Sequence, residues 1–405
     1  MQSLEEMRKE LDVIDDQITT LYERRMKVCE GVAEYKIKNG RKVFDKTREN
    51  EKLAAVAEKV STEYKIETGK KVFDKQREQE KLEKVKSMTH NDFNSHGIEE
   101  LFEQIMSMSR KLQYQRLSEE GVLGRLPFIG LDQLDLDGAR VVFQGVEGAN
   151  NQAAMLKYFG KNVKNFHVPS FRDAMEAIEE GSADYAVLPI ENSSAGPVTQ
   201  VYDLLVEFEN YIVGETVLPI KHMLAGVKGT TLSSIERVYS HPQGLMQTSH
   251  FLDEHGTWQQ ISVANTSMAA KKMMEDQDTT QAAVCNEYAA ELYGLDILAR
   301  EINDESDNST RFIIVTNQKV FLKNASKISI CFEIPHESGS LYHLLSHFIY
   351  NDLNMTKIES RPVEGKSWEY RFFVDFEGNL ADAAVKNAIR GLREEALNLK
   401  ILGNY

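Results

Sequence analysis

The sequence is poor in cysteine and in proline. Its 405 residues include only eight prolines and three cysteines, Cys29, Cys285 and Cys331, which lie far apart and form no CxxC pair. This spacing argues against a disulfide framework and against a cysteine-based zinc site. The ten histidines show no metal-ligand spacing either. The sequence therefore predicts no metal site.

Long apolar runs and an excess of positive charge are also missing. No apolar run approaches the roughly 20 residues that span a membrane, and the first residues lack the basic and apolar regions of a signal peptide. The formal net charge is −15 at pH 7, which argues against nucleic acid or an anionic membrane as a partner. We predict a cytoplasmic protein whose anionic ligands meet local groups of positive side chains.

Residues 1–117 are predicted to form a helical domain. Over residues 4–37 the apolar positions recur at three- and four-residue steps, the pattern of one long amphipathic helix. On such a helix Arg25 and Lys36 lie within about 20° of each other and about 16 Å apart. Arg8 is rotated from Arg25 by about 260° and lies about 25 Å away. Arg8 would therefore serve the same site only from a second subunit.

The helical domain contains a 29-residue internal repeat. Residues 33–56 recur as residues 62–85, with 16 of the 24 aligned positions identical. The repeat duplicates four polar residues: Lys36, Asp45, Arg48 and Glu49 recur as Lys65, Asp74, Arg77 and Glu78. A last helix, residues 98–117, carries Ser109 and Gln113 on one side. We favour the first copy as part of a site, because it shares one unbroken helix with Arg25. The alternative is that the second copy builds the site, with a lengthened first helix or a rearranged dimer.

After a linker of residues 118–138, residues 139–317 alternate strands with helices. A strand at 140–143 precedes the Gly-rich turn 144–152, and a strand at 185–189 precedes the polar turn 190–197. This alternation predicts mostly parallel sheets with polar turns gathered at one edge. The length suits two lobes with a cleft between them.

A polar loop at residues 303–310 runs directly into the apolar strand 312–315. The loop offers an amide at Asn308, a hydroxyl at Thr310 and a fixed cation at Arg311. These groups are suited to binding a carboxylate and donating a proton. The sequence therefore predicts a site at the start of this strand.

Residues 326–405 show the element order β-α-β-β-α-β, with a possible last strand at 400–402. This order is typical of a ferredoxin-like α+β fold. The segment contains no evident nucleophile or base.

The helical domain resembles the all-helical chorismate mutases, which are intertwined helical dimers. The resemblance implies that arginines bind the carboxylates of chorismate, Lys36 and Gln113 donate to its ether oxygen, and Asp45 and Glu49 bind its hydroxyl. The residues in the family's motif order are Arg8, Arg25, Lys36, Asp45, Arg48, Glu49, Ser109 and Gln113. In that family the equivalent of Arg8 comes from the second chain.

The α/β segment resembles prephenate dehydratases through motifs at 145–148, 188–193, 240–243, 289–294 and 308–312. The resemblance implies that Thr310 protonates the departing ring hydroxyl while prephenate loses carbon dioxide, and that Arg311 balances substrate carboxylate charge. The other residues implied at the substrate are Asn192, Ser193, Ser240, Gln243 and Phe312. The turn 149–152 departs from the aromatic and hydroxyl residues usual in the family.

The C-terminal segment resembles ACT regulatory domains, most closely the phenylalanine-binding kind. That resemblance implies L-phenylalanine as an effector, bound between two such domains of a dimer. The implied effector-binding residues are Gly339, Ser340, Leu341, Glu359, Ser360, Arg361 and Pro362. The loop departs from the family's motif at Ser338 and Ser340.

Together the three segments resemble the bifunctional chorismate mutase/prephenate dehydratases with a C-terminal ACT domain. The resemblance implies a multidomain homo-oligomer, dimer or tetramer, that turns chorismate into phenylpyruvate through prephenate without a cofactor and is inhibited by L-phenylalanine. Two alternatives remain. In the first alternative, the helical domain is only a dimerisation module. In the second, the two-lobed segment is a catalytically silent small-molecule sensor.

Overall fold

The computed structural model describes residues 126–405, apart from residues 364 and 367, together with scattered helical positions between residues 28 and 104. The chain forms two compact units. Unit one comprises Met1–Leu126, Glu333–Met355 and Ala381–Leu397, and unit two comprises Pro127–Phe332, Thr356–Leu380 and Asn398–Tyr405.

The described positions of the N-terminal region in unit one are helical, in agreement with the predicted helices. Val28, which the pattern assigns to the apolar stripe, is helical and 53% exposed. An ion pair between Lys86 and Glu99, with 2.7 Å between nitrogen and oxygen, joins two of the helical stretches.

The first lobe of unit two begins with residues 139–219, and a short strand lies before them in the chain. The elements in chain order are β1 (Ile129–Leu131), β2 (Arg140–Gln144), α1 (Asn150–Phe159), β3 (Lys164–Val168), α2 (Phe171–Glu179), β4 (Tyr185–Asn192), β5 (Gly196–Pro197), α3 (Thr199–Glu207) and β6 (Tyr211–Pro219). A capping box begins α2, because Ser170 Oγ accepts from the Asp173 amide while the Asp173 carboxylate accepts from the Ser170 amide.

Residues 220–308 form the second lobe, and the chain then returns to the first. The elements are β7 (Met223–Gly226), a 3-10 turn (Leu232–Ser234), β8 (Arg237–Ser240), α4 (Pro242–Met246), α5 (Ser249–Asp253), β9 (Gln259–Ser262), α6 (Thr266–Asp276), β10 (Gln281–Cys285), α7 (Glu287–Leu292), β11 (Asp296–Ala299), β12 (Ser309–Thr316) and β13 (Val320–Leu322). Asn265 and Asn286 cap α6 and α7 through their side-chain oxygens.

The C-terminal elements follow the predicted order. They are β14 (Lys327–Glu333), α8 (Ser340–Ile349), β15 (Met355–Pro362), β16 (Tyr370–Glu377), α9 (Ala383–Glu395) and β17 (Leu397–Asn404). In unit one α8 packs against α9, where a Cβ on Gly391 would lie 2.3 Å from the His347 ring. This close approach requires glycine at residue 391.

The described strands of unit two form two main sheets. The larger one has the order β15-β16-β14-β17-β6-β12-β4-β2-β3, with β5 added on β4, and the sheet of the second lobe has the order β11-β7-β10-β8-β9. The prediction of mostly parallel sheets is wrong for the central strands, because β12 runs antiparallel to both β4 and β6. The physical reason is that β6 carries the chain out of the first lobe and β12 carries it back.

The sequence did not predict that the C-terminal strands extend the sheet of the first lobe. Strand β17 lies parallel to β6, with Gly403 opposite Ile212. A Cβ on Gly403 would lie 2.1 Å from the Ile212 carbonyl oxygen. Only glycine allows this approach, so Gly403 permits the continuous sheet.

Hydrophobic cores cover both faces of the first lobe's sheet. Leu188 and Ile313 belong to the core under α2 and α3, and Val187 and Ile314 to the core under α1. All four side chains are fully buried, and each stabilises the fold by roughly 1.5–3 kcal/mol relative to exposure. The two cores hold β4 and β12 rigidly side by side, which positions the polar residues at the ends of these strands.

Candidate active site

Strand β12 places the predicted polar loop at the edge of the sheet. It pairs with β4 so that Thr310 lies opposite Asn192 and Arg311 opposite Glu191. Because side chains alternate along a strand, Thr310 and Phe312 project from one face of the sheet and Arg311 from the other. Thr310 and Phe312 line a cleft of about 810 Å³.

Both lobes contribute walls to this cleft. The first lobe supplies residues 144–146, residues 149–151 and some residues of the range 189–198. The second lobe supplies residues around 241–247 and 264–268. Four of the predicted substrate-contacting residues meet here: Asn192, Gln243, Thr310 and Phe312. The cleft is of the size that binds a small organic molecule.

The hydroxyl of Thr310 has one amide partner. Asn192 Nδ2 donates to Thr310 Oγ1 at 2.9 Å and to Asn308 Oδ1 at 2.8 Å. The threonine oxygen therefore acts as an acceptor in this bond, and its hydrogen is left to donate to a group in the cleft. The hydroxyl of Thr310 can thus donate a hydrogen bond into the cleft.

Backbone groups fix the orientation of the Asn192 amide. Its Oδ1 accepts from the backbone N–H groups of Ser194 and Ala195, at 3.2 and 2.8 Å. A backbone N–H can only donate, so the amide oxygen must face the turn and the amide nitrogen must face Thr310. The polar turn after β4 therefore determines the direction of the bond to Thr310.

Two of the predicted serines have other contacts. Ser193 Oγ accepts from the Ser309 amide at 2.9 Å and donates to the Asp307 carbonyl at 3.3 Å, which ties together the two loops at the site. Ser240 Oγ is fully buried and donates to the Val284 carbonyl at 2.7 Å. Among the described residues, neither serine is part of the cleft wall.

Arg311 lies on the face of the sheet opposite the cleft. Its guanidinium is within 3.3 Å of Glu191, 3.3 Å of Glu215 and 3.1 Å of Asp375. Burial by itself disfavours the cation, but the Coulombic attraction of Asp375 and Glu215 outweighs it, so the pKa of Arg311 is raised. This placement does not support the predicted contact with a substrate carboxylate, because the alternation of β12 turns the side chain away from the cleft.

The sequence reasoning missed two cleft residues, His222 and Gln247. His222 is 3% exposed, and its Nε2 lies 3.0 Å from Gln247 Oε1. Gln247 Nε2 donates to Ser194 Oγ at 3.2 Å, so the histidine is linked to the turn that holds Asn192. Burial lowers the pKa of His222 and keeps the ring neutral, although the bond to Gln247 opposes the shift. No local sequence signal marks either residue, because they meet only where the lobes join.

Negative charge in the cleft would be met by N–H groups rather than by side-chain cations. Among the described residues that line the cleft, none is lysine or arginine. The N-termini of α1 and α6 open onto it, since Asn150 and Thr266 are wall residues. The residue that precedes α1 is Ala149, whose side chain forms no capping hydrogen bond. The first N–H groups of α1 are therefore not occupied by a side-chain cap. Helix N-termini of this kind favour anions.

The turn that departs from the family pattern also joins the two lobes. Asn286 of the second lobe donates through Nδ2 to the Gly148 carbonyl at 3.0 Å and to Asn150 Oδ1 at 2.7 Å. Asn151 Nδ2 donates to the Gln144 carbonyl at 2.8 Å. The asparagines of this turn therefore hold the cleft wall in place while lining it.

The described residues include neither a cluster of metal-ligating side chains nor an ionised Cys285 thiol. A search of the described residues finds no group of three His, Cys, Asp or Glu side chains able to hold a metal ion. Burial raises the pKa of the Cys285 thiol to about 12, so it stays protonated. A similar search finds no described helix long and apolar enough to cross a membrane.

The predicted effector residues lie on two elements. Gly339, in the left-handed conformation at φ 81°, precedes α8, and Ser340 Oγ donates to the Glu337 carbonyl at 2.9 Å. On β15, Arg361 forms an ion pair with Asp203 of α3, with contacts of 2.6 and 3.1 Å. Arg361 is thus joined to the first lobe.

The predicted mutase residues lie outside the described part of the chain. For the first copy and its neighbours these are Arg8, Arg25, Lys36, Asp45, Arg48, Glu49, Ser109 and Gln113. For the second copy they are Lys65, Asp74, Arg77 and Glu78.

Two family models match the chain, one in the helical N-terminal region and one in the α/β segment. The prephenate dehydratase model matches residues 141–320. The type II chorismate mutase model matches twice, at residues 7–63 and 59–114. Each mutase match contains one copy of the repeat, and neither spans all eight residues of the family's motif order. The double match therefore follows the internal repeat.

One curated relative is similar over its full length. The bifunctional chorismate mutase/prephenate dehydratase of Aquifex aeolicus is 31% identical over 407 residues, which is 100% of this chain and 98% of the relative. The similarity thus includes the C-terminal segment.

Solved structures are similar to the C-terminal two thirds. Prephenate dehydratase from Arthrobacter aurescens in complex with L-Phe is 30% identical, with a TM-score of 0.61 over 66% of this chain and 89% of that one. A structure described as GqqA, a novel type of quorum quenching acylase, is also 30% identical, with a TM-score of 0.61 over 66% of this chain and 97% of that one.

Proposed function

Because this chain belongs to the family of bifunctional chorismate mutase/prephenate dehydratases, we propose that it rearranges chorismate to prephenate and then converts prephenate to phenylpyruvate. L-Phenylalanine, the amino acid made from phenylpyruvate, acts as a feedback inhibitor. The bond between Asn192 and Thr310 is the observation that carries the dehydratase assignment.

The dehydratase step uses Thr310 as the proton donor. In prephenate the C–C bond to the ring carboxylate breaks and carbon dioxide leaves. The electron pair moves into the ring, and the C–O bond to the ring hydroxyl breaks. The hydroxyl takes the Thr310 proton and departs as water, and solvent returns a proton to the threonine. Asn192 Nδ2 stabilises the threonine oxygen as it becomes more negative.

Aromatisation of the ring supplies the driving force, so the protein needs only to orient a dianion and to deliver one proton. The cleft orients prephenate with amides and helix N-termini. Asn150 and Gln243 offer side-chain amides, and the first turns of α1 and α6 offer N–H groups.

The mutase step belongs to the helical domain. We keep the first repeat copy, Lys36 to Glu49, as the one that completes the site with Arg8, Arg25, Ser109 and Gln113. The family model's first match, residues 7–63, supports this choice because it contains Arg8, Arg25 and the first copy together. The two copies are nevertheless so similar that a direct comparison is needed.

The C-terminal segment is proposed to be a ferredoxin-like ACT domain that binds L-phenylalanine. Its β-α-β-β-α-β order and the strand order β17-β14-β16-β15 support this fold. The related structure from Arthrobacter aurescens contains L-Phe. The proposed effector residues are Gly339, Ser340 and Leu341 with Glu359, Ser360, Arg361 and Pro362.

The proposed division of the chain is a helical domain at 1–117, a linker at 118–138, the dehydratase at 139–317 and the ACT domain at 326–405. A homo-oligomer and a cytoplasmic location stay predictions.

A time course with chorismate as the only substrate tests the function. The concentrations of chorismate, prephenate and phenylpyruvate are measured over time in a reaction with the full-length protein, with and without L-phenylalanine. We expect prephenate to accumulate transiently and phenylpyruvate to form after it. Phenylpyruvate should form more slowly when L-phenylalanine is present. Lys36→Ala and Lys65→Ala variants are compared in the same assay, and we expect only Lys36→Ala to abolish the first step. Untouched chorismate beside rapid consumption of added prephenate would mean that the helical domain is only a dimerisation module.

A further inference from the structure

Arg311 joins strands from two different parts of the chain on the face of the sheet behind the cleft. Its three carboxylate partners are Glu191 on β4, Glu215 on β6 and Asp375 on β16. The first two belong to the first lobe, and Asp375 belongs to the C-terminal segment. The side chains of Arg311 and Asp375 are only 15% and 12% exposed.

Two lysines of the C-terminal strands extend these contacts. Lys357 on β15 lies 2.8 Å from Glu191, and Lys327 on β14 is ion-paired with Glu215. Ser329 donates to the Asp375 carboxylate at 2.6 Å. We call the six charged residues the Arg311 cluster: Arg311, Glu191, Glu215, Lys327, Lys357 and Asp375.

The Arg311 cluster is balanced in charge. Its three carboxylates face three cations, and the first lobe and the C-terminal strands each contribute to both signs. Removing the charge of one member leaves a net charge in a partly buried group, which is unfavourable. The cluster therefore resists any movement that separates the C-terminal strands from the first lobe.

The cluster lies directly behind the proton donor. The register pairs Thr310 with Asn192 and Arg311 with Glu191, so two neighbouring rungs of the same strand pair carry the two contacts. The Arg311–Glu191 ion pair holds β12 and β4 together on the back, where the Thr310–Asn192 bond is made on the front. A shift of the ion pair therefore acts on the two strands that carry the Thr310–Asn192 bond.

The cluster also reaches the strand that carries the proposed effector motif. Lys357 and Arg361 lie four residues apart on β15 and project from the same face. Lys357 contacts Glu191, and Arg361 contacts Asp203 of α3. Any ligand that displaces residues 359–362 of β15 also pulls on the Glu191 contact.

We propose that Arg311 is a positioning residue and that the Arg311 cluster transmits the state of the C-terminal segment to the Thr310–Asn192 pair. This inference rests on the proposed function, because it explains how L-phenylalanine slows the dehydration of prephenate. Arg311 does not touch the substrate; it acts through β12 and β4.

The test compares full-length wild type with Asp375→Asn, which keeps the shape of the side chain and removes its charge. We expect kcat for prephenate to fall by about tenfold, the scale of a small misplacement of a catalytic group. The KM for prephenate should stay unchanged, and inhibition by L-phenylalanine should be largely lost. Mutase turnover should be that of wild type, which shows that the helical domain is intact, and the unchanged KM shows that the cleft is folded.

Glu207→Gln is the matched control. It removes the charge of a carboxylate in an exposed ion pair with Arg172 of the same lobe, away from the cluster. Its kcat and inhibition should be those of wild type. Equal kcat and equal inhibition in wild type and Asp375→Asn would overturn the inference.

Hydrogen exchange of the wild type provides a test that needs no variant. L-Phenylalanine should change the exchange of backbone amides in residues 309–316 and 188–192, and unchanged exchange there during full inhibition would overturn the inference. A wild type that does not consume prephenate would instead refute the proposed function. The two failures are thus distinguishable.

Discussion

Thr310 and Arg311 are neighbours on one strand, but the two faces of the sheet give them opposite surroundings. Thr310 faces the cleft, accepts one bond from Asn192 and keeps its hydrogen available. Arg311 faces the C-terminal strands, where three carboxylates occupy its guanidinium. The comparison teaches that two adjacent polar residues of one strand can have different roles, because one faces a cleft and the other faces fixed carboxylates.

The largest expected effect is the loss of kcat when Thr310, on the cleft face, is changed. Thr310→Val keeps the shape of the side chain and removes the hydroxyl, so kcat for prephenate dehydration should fall by about 10²–10⁴-fold, the contribution of a positioned acid. Prephenate should still bind, as measured by calorimetry. Thr310→Ser keeps a hydroxyl and is the control. A Thr310→Val enzyme as fast as the serine variant would contradict the role of the hydroxyl.

On the opposite face the effect is on stability. Arg311→Met leaves three carboxylates close together without their shared cation, so the free energy of unfolding should fall by about 3–5 kcal/mol. The KM for prephenate should not change. Urea unfolding and steady-state kinetics measure the two quantities. Arg172→Met, which breaks the exposed ion pair with Glu207, should lower the free energy of unfolding far less. A raised KM at unchanged stability would restore Arg311 as a substrate ligand.

Asn192 sharpens the comparison because its amide directs the Thr310 hydrogen into the cleft. In Asn192→Asp the carboxylate can only accept, so Thr310 donates to it instead of to the substrate. We expect kcat to fall by about 10²-fold, as when a single stabilising donor is lost. Ser193→Ala, whose hydroxyl only ties two loops together, should change kcat little. Equal losses in both variants would mean that the turn matters only for folding.

The smallest effect concerns pH. The pKa of His222 is lowered by burial in the folded protein, so below the ordinary histidine pKa of about 6.5 the unfolded chain binds the proton first. Stability should therefore be constant above that pH and decline as pH falls below it. Thermal unfolding across this range measures the decline. His222→Gln keeps an amide donor toward Gln247 and cannot be protonated in this range, so its curve should fall less steeply. Parallel curves would contradict the prediction.

Sequence periodicity predicted the strands of the site well. The predicted strand 140–143 differs from β2 by one residue, and the predicted strand 185–189 forms the first part of β4, which continues to Asn192. Helix α1 begins at Asn150, inside the predicted turn 144–152, because the asparagines of the turn join its first helical turn. Local pattern is reliable here because these strands are continuously apolar and buried on both faces.

The same periodicity could have shown that Thr310 and Arg311 face opposite sides of the sheet. Adjacent strand residues point to opposite faces, so they could not both face one cleft. The resemblance to a family motif outweighed this simple argument, since a motif groups residues by sequence and not by face. The partners of Arg311 were beyond prediction, because Glu191, Glu215 and Asp375 are far apart in the chain and meet only through the sheet.

By itself the sequence determined the family, the order of the segments, the repeat and the threonine at the start of β12. These follow from local patterns and from residue types at fixed spacing. Only the tertiary structure decided which polar residues share the cleft, that Ser240 is buried against a carbonyl, and that Gly403 lets the C-terminal strands join the sheet. The physical reason is that strand pairing and burial between distant segments determine which groups are left with an unused donor.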